Sequence, residues 1–481
     1  MDITATNDIS LLGVSKNLIT PQAHAPLNSA ILISTPMRKR QVKFNVKGFI
    51  NSMKKNQIPA KSIIALSLSA LFMSEAATAA GFYLNEHSAN GLGRAFAGQA
   101  ALAENATVLY SNPAAITQFD TATASLFLSY VDPGISSKGS VTLTNQGQNL
   151  TLEADQNDVA GSAFIPAAFY ARPLNDQWSI GLGMYSNYGL ASDYDDSFTA
   201  LHFGDRAEIK SVNLNPTVAY RLSDTVSLGL GLNAVYSEAE LSTSVPTVIS
   251  GAIGGIVPPL ASIAKVQGDD WSFGWNIGAY WLPTPNTTIG LSYRSEVGLS
   301  LSGDFKSDVV AAYNQAGSVD IDLPALAELA INQKVSEQLS FQASINWFGW
   351  SSFDVLEVNL ENGVDVLLKE EQFHNAKKYS LGATYILNAQ WVLRTGVAYD
   401  EGAVSDEHRS IGIPDTDRRW LSAGASYTLN DSLTIDAGIV KVYGKDARVN
   451  EQTAFGPLTS TLEATQSASA TILSAQINYA F

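Results

Sequence analysis

The side chains that usually carry covalent or metal chemistry are sparse in this chain. Cysteine is absent, which removes disulfides, thiolate metal sites and cysteine nucleophiles together. After residue 80 the histidines are His87, His202, His374 and His408. Their spacing forms no metal motif and sets none beside a nucleophile signature, so no enzyme activity, cofactor or metal is expected. A formal charge of −16 argues against nucleic acid, whose phosphates need clustered Lys and Arg. What remains is apolar: Val248, Ile249, Ile253, Ile256, Val257 and Leu260 crowd into one connection, and Pro166 and Gly189 stand where extended chain would run. Such residues handle hydrophobic molecules, and a scaffold has to present them.

That scaffold is legible as a period of two. In Val226–Tyr236 the residues Val226, Leu228, Leu230, Leu232, Ala234 and Tyr236 share one face, while Ser227, Gly229, Gly231 and Asn233 share the other. The same alternation turns Asn213, Asn215 and Thr217 inward and Trp178, Ile180, Leu182 and Met184 outward. A wall with lipid on one side and a polar lumen on the other averages to the observed mean hydropathy of +0.04. Short polar turns at 175–176, 223–224, 283–286, 336–338, 388–389 and 430–431 join alternating segments. Longer connections at 131–160, 190–210, 242–269, 301–324, 351–376 and 444–470 separate them. The reading is all-β: an antiparallel transmembrane β-barrel of about fourteen strands over residues 121–481.

The N-terminal part reads differently. Lys54, Lys55 and Lys61, the apolar run Ile63–Met73 and Ala77-Thr78-Ala79 form an export signal over 53–79. Residues 1–52 are then a mis-called extension, with a genuine N-terminal arm as the alternative. Residues 80–120 are small, Gly- and Ala-rich and broken at Asn112-Pro113-Ala114, which suits a plug folded inside the lumen. At the other end Leu473, Ala475, Ile477, Tyr479 and Phe481 share a face, an aromatic ending of the kind that barrel-assembly machinery reads. The expected location is the outer membrane of a Gram-negative cell, among lipid and lipopolysaccharide, as a monomer.

Several motifs occur in order along residues 80–481: Ala80-Gly-Phe-Tyr-Leu-Asn-Glu86, Gly91-Leu-Gly-Arg-Ala95, Asn112-Pro-Ala114, Ser186-Asn-Tyr-Gly-Leu190, Phe273-Gly-Trp-Asn276, Tyr293-Arg-Ser-Glu296, and Ile413-Pro-Asp-Thr-Asp-Arg418 with Trp420-Leu-Ser-Ala-Gly424. Together they resemble the FadL family of long-chain fatty acid transporters. The resemblance implies a fourteen-stranded barrel, an N-terminal hatch within it, and passive transport with sideways exit through the wall. It assigns Phe82 and Leu84 to the ligand pocket at the hatch start. It sets Asn112, Pro113 and Ala114 beside a kinked strand whose kink matches Gly189. The residues themselves add Ser186 and Tyr188 around that glycine, and Pro166, which has no N–H for the ladder, in the neighbouring strand as the opening.

Read from the residues alone, Gly189 could simply begin a loop and Pro166 could sit in a bulge. The apolar loop suits a capture groove, or equally a cap whose residues pack on one another. Thr243 and His374 stand where the family places basic residues for a carboxylate; Arg206, Lys210, Lys306 and Arg409 are the candidates to compensate. Uptake of aromatic hydrocarbons is therefore the alternative cargo, and a general porin the rival outside the family.

Overall fold

The computed structural model describes residues 81–481. The signal and extension expected over 1–79 lie outside the described residues. Twenty-one stretches of extended chain make one sheet. Twenty of them join into fourteen staves, while Gln148–Glu153 folds back on the first: β1 (Thr123–Asn145), β2 (Ala163–Pro173), β3 (Trp178–Tyr185 and Gly189–Asp193), β4 (Arg206–Arg221), β5 (Val226–Ser244), β6 (Ser262–Thr284) and β7 (Thr287–Arg294 and Val297–Lys306). The ring continues through β8 (Gln315–Leu323 and Leu326–Lys334), β9 (Leu339–Phe348 and Val355–Leu360), β10 (Asp365–Glu370 and Ala376–Ile386), β11 (Trp391–Asp400), β12 (Arg418–Asn430), β13 (Leu433–Gly444 and Ala447–Phe455) and β14 (Leu458–Ala480). Pairing of β14 with β1, from Thr123↔Ala480 to Asn145↔Leu458, closes the barrel. Closure is what hydrocarbon demands, because an open sheet edge there would leave backbone groups without partners.

The two-residue period sorts side chains as the sequence requires. Leu232 is 60% exposed on the outside while its neighbour Asn233, facing in, is 1% exposed. On β6 the exposed residues Trp271, Phe273, Trp275, Ile277 and Trp281 make an apolar outer face. Aromatic pairs mark its two borders: Tyr236 and Trp271 on one side (ring centroids 5.3 Å apart), Trp178 and Tyr220 (4.7 Å) and Trp391 and Tyr427 (4.8 Å) on the other. Rings of this kind sit at the headgroup level of a bilayer.

The long connections prove shorter than the sequence suggested. Strands β1, β5, β6, β13 and β14 run on well past the apolar band, so 131–145 and most of 444–470 are ladder, not loop. Cross-strand hydrogen bonding continues in water wherever neighbours stay in register, and polar outward residues do not forbid it. A further connection, 401–417, separates β11 from β12 and was not among those expected. The apolar loop is also not an open surface: Ile249 is buried, and Val248, Ile253 and Val257 pack on a cluster that includes Tyr194, Phe198 and Leu201. Only Ile256 and Leu260 of the six stand exposed.

Residues 81–119 lie against the inward faces of the staves. Short helical turns, Ala89–Leu92, Gln99–Ala101, Val108–Ser111 and Pro113–Gln118, alternate with bends and are almost wholly buried. Ser88 caps the first, and Asn112 caps the last with Pro113 at its first position, where a missing N–H costs nothing. Close approach to the wall uses inward glycines. A Cβ at Gly290 would overlap the Ala100 carbonyl, and one at Gly396 the Arg94 backbone. Gly290→Val and Gly396→Val should each loosen this packing by about 1–3 kcal/mol without opening the ladder. The expected result is a barrel that still migrates differently boiled and unboiled in gel electrophoresis, with ion conductance across planar bilayers raised above wild type.

Candidate functional site

The ladder between β2 and β3 stops part way. From Ala168↔Met184 to Pro173↔Ser179 the two strands pair, but residues 163–167 of β2 have no partner on β3, although they pair with β1, Pro166 opposite Leu128. Strand β3 itself is interrupted at 186–188. Across the interruption Tyr185 faces Asn213 of β4 while Gly189 faces Lys210, so four steps along β3 answer three along β4. One residue is extra, as in a bulge, and the strand turns there.

The interruption is filled from inside. Tyr83 bridges Tyr188 in antiparallel fashion. Leu84 donates its N–H to the Asn187 carbonyl (3.0 Å), and Gly189 donates to the Phe82 carbonyl (2.8 Å). The Ser211 hydroxyl of β4 serves Tyr188 twice, accepting from its N–H (3.1 Å) and donating to its carbonyl (2.7 Å). The Tyr188 hydroxyl reaches across to the Pro324 carbonyl (2.8 Å), at the break within β8.

Phe82 is completely buried in an aromatic socket. Its ring lies 4.6 Å from Trp350, 5.2 Å from Phe353 and 6.2 Å from Tyr188, and Phe373 packs edge-on against Phe353. Edge-to-face arrays of this kind add to the gain from burial alone. Gly81 holds the entry with a positive φ of 57° against the Trp350 ring, and its N–H donates to the Asp415 carboxylate (3.1 Å). Asp415 is itself fixed by Arg418 at 2.7 Å. Directly beside the socket, and sharing Phe353 with it, lies an apolar cavity lined by Leu190, Leu356, Leu368 and Ile413 among others.

Deeper polar contacts hold the rest of the segment. Arg294 of β7 donates to the Tyr110 carbonyl (3.0 Å) and to Asn233, and lies over the Tyr110 and Tyr185 rings. Asn213, Asn215 and Asn276 complete that inward amide network. Glu104 bridges Arg94 (2.8 Å) to Arg394 of β11 (3.2 Å). Lys378 of β10 donates to Asn85 (3.2 Å) and sits 3.7 Å from the Trp420 ring centroid. Next to Asn85, burial pushes the Glu86 carboxyl up to about 7 and the His87 imidazole down to about 3. His87 lies flat on Tyr110 with centroids 3.7 Å apart.

Among the residues singled out from sequence, Phe82, Leu84, Ser186, Tyr188 and Gly189 converge here. Asn112, Pro113 and Ala114 do not: Asn112 donates to the Ala279 carbonyl of β6, and Gly229 and Gly278 receive Pro113 and Ala114 on β5 and β6. The contact with β3 is made by their neighbours Leu109 and Ile116, against Gly181 and Gly183. Among the basic candidates, Arg206, Lys210 and Lys306 are engaged in ion pairs, and Arg409 spends its guanidinium on Asp406 and on loop carbonyls. His374 is exposed. Residues that the sequence reading passed over are Trp350, Phe353, Phe373, Arg294 and Asp415. The last two stood inside quoted motifs; the aromatic three stood in a connection with no pattern to mark them.

Residues 70–481 match the family described as outer membrane protein transport protein (OMPP1/FadL/TodX). A long-chain fatty acid transport protein of Escherichia coli O6:H1 is 35% identical over 416 residues, covering 80% of this chain and 92% of that protein. Outer membrane protein P1 of Haemophilus influenzae is 34% identical over 457 residues, covering 88% and 99%. The crystal structure of a Pseudomonas aeruginosa FadL homologue superposes with a TM-score of 0.75 at 25% identity, covering 84% of this chain and all of that one. The closed barrel, the bent third stave and the inward N-terminal segment thus belong to a member of the OMPP1/FadL/TodX family of outer-membrane transport proteins.

Proposed function

We propose that the chain carries hydrophobic small molecules, long-chain fatty acids first among them, across the outer membrane without energy input. The observation that supports this most is the unpaired stretch between β2 and β3, stoppered by residues 82–84 and adjoining an apolar cavity. Ligand gathers at the extracellular loops, where Ile256 and Leu260 are exposed, and moves to the cavity beside Phe82. Residues 81–120 act as a hatch that keeps the lumen from leaking. Exit is sideways, through the wall at Pro166 and Ser186–Gly189, into the bilayer. Releasing an acyl chain into water instead would cost ~0.8 kcal/mol per CH₂, about 12 kcal/mol for sixteen carbons. The chain belongs to a family of outer-membrane transport proteins, and we read it as a conduit for hydrophobic ligands.

A second cargo has one observation in its favour. The cavity is lined by no basic residue among those described, which an aromatic hydrocarbon would tolerate better than a carboxylate. Uptake of labelled oleate and of toluene into cells lacking their own transporter separates the two. Oleate uptake restored by this chain is the expected outcome; rescue with toluene alone would reassign the cargo.

Removing Asn187 takes out the extra residue and lets β3 run straight past β4. The variant should keep its heat-modifiable gel shift while oleate uptake falls at least about tenfold. Unchanged uptake would place the exit elsewhere. Phe82→Ala should remove about 3–5 kcal/mol of socket packing and raise the protease sensitivity of the N-terminal segment.

Docking of that segment should also respond to pH on both sides. The Glu86 carboxyl is raised when docked, so its contribution is complete below the ordinary carboxyl range and is lost as pH climbs through about 7. The His87 imidazole is lowered when docked, so its contribution holds above the ordinary imidazole range and is lost as pH falls toward about 3. A spin label near residue 81 should therefore gain mobility at both extremes. Glu86→Gln should abolish only the alkaline limb; a variant that keeps it would remove Glu86 from the account.

A further inference from the structure

The cavity beside Phe82 has a one-sided electrostatic character. Its inward side chains include Ala207, Ile209, Leu241, Val266, Leu301 and Ile321, and none of the described residues lining it is Lys, Arg or His. Its ionisable lining residues are Glu208 and Glu240. Both belong to the outward parity of β4 and β5, and both are already paired, Glu208 with Lys210 (2.6 Å) and Arg206 (3.0 Å), Glu240 with Lys265 (2.8 Å). Toward the Phe82 end Arg409, Arg418 and Lys369 are committed as well, and Lys378 makes one hydrogen bond and no ion pair among the described residues. Arg409 donates to the carbonyls of Asp415 (3.0 Å), Val404 (3.1 Å) and Arg448 (3.1 Å); Arg418 holds Asp415, Lys369 pairs with Glu451, and Lys378 donates to Asn85. An anionic head drawn into this space would meet no cation in its apolar lining, and the two lining carboxylates are turned outward and neutralised by their own partners. Under those conditions an acid sheds its charge before it enters, because desolvation disfavours the ionised form and nothing opposes it.

We propose that this cavity takes its ligand uncharged: a fatty acid enters as the protonated acid, and neutral hydrophobes of similar length, such as esters and alcohols, are bound at least as well. The inference rests on the transport reading and narrows it to a substrate class defined by charge. Protonation then precedes binding, and the proton travels with the ligand into the bilayer.

The test uses the full chain in nonionic micelles with tritiated methyl oleate as probe. If only the protonated acid binds, with the ordinary carboxyl pKa near 4.3, oleate at about pH 8 should need more than about a thousandfold more ligand than oleyl alcohol to displace half the probe, and near pH 5 the gap should shrink to roughly sixfold. Micelle partitioning is controlled by Thr243→Arg, which puts a cation at the next inward position beyond Leu241. That variant should improve oleate displacement about tenfold at the higher pH and leave oleyl alcohol unchanged. Oleate competing as well as the alcohol at about pH 8, or no response to Thr243→Arg, would overturn the proposal. Failure of methyl oleate itself to bind would bring down the transport reading and this inference with it.

Discussion

The structure hangs on one requirement: a wall facing hydrocarbon has to give every backbone N–H and C=O a partner within the protein. Most junctions between staves do this by running ladders, most plainly β1 with β14 and β5 with β6. Strands β6 and β7 also part, at 270–275 and 295–301, where side chains such as Ser295 and Asp270 take up backbone groups. The junction of β2 with β3 stops short, and the groups it orphans at 186–189 are taken by Phe82, Leu84 and Ser211. The N-terminal segment therefore completes the wall at the β2/β3 junction. Its withdrawal would leave several buried polar groups unpaired, each at a cost of about 1–3 kcal/mol. Pocket occupancy and wall integrity become coupled through ordinary hydrogen bonds, and a ligand that competes for the Phe82 socket shifts both.

Stability of the segment is divided between two kinds of contact. Toward its beginning Phe82 is held by rings, which a hydrophobic competitor can replace in kind. Farther in, Arg294 grips Tyr110, Glu104 ties Arg94 to Arg394, and Asn112 reaches Ala279. Those polar contacts, the first two of them charge-assisted, have no hydrophobic substitute and resist exchange. Under the proposed function the first residues exchange with ligand while residues 90–118 stay in place, and their filling of the lumen is what distinguishes that function from an open porin's.

Conduction without energy input asks that no step be too favourable. A cavity with a free cation in its lining would hold a carboxylate firmly; under the proposed function, one lined without a cation holds the acyl chain by burial alone and gives it up to lipid at little loss. The paired charges outside, on the extracellular ends of β4 to β7, keep that polarity at the headgroup level and away from the acyl path.

How much was readable beforehand follows from the range of each interaction. Alternation, turn residues and strand ends are local, so the inward placement of Asn213, Asn215 and Asn233 and the outward placement of Trp178 and Leu232 were fixed by neighbours in the chain. The bend at Gly189 was marked by glycine, though only the pairing with β4 reveals that one residue is extra. Loop lengths were overestimated because polar ladders beyond the membrane carry no hydrophobic signature. Where inward side chains meet was decided by closure and stagger of the ring. Those bring Trp350, Phe353 and Phe373 of β9 and β10 onto Phe82, some 270 residues away in sequence, and set Asp415 beneath Gly81, at a separation of 334 residues. The sequence by itself determined a lipid-facing wall and an N-terminal segment unable to join it; only the tertiary structure decided which stave that segment mends, because register around a closed barrel is a property of all its strands at once.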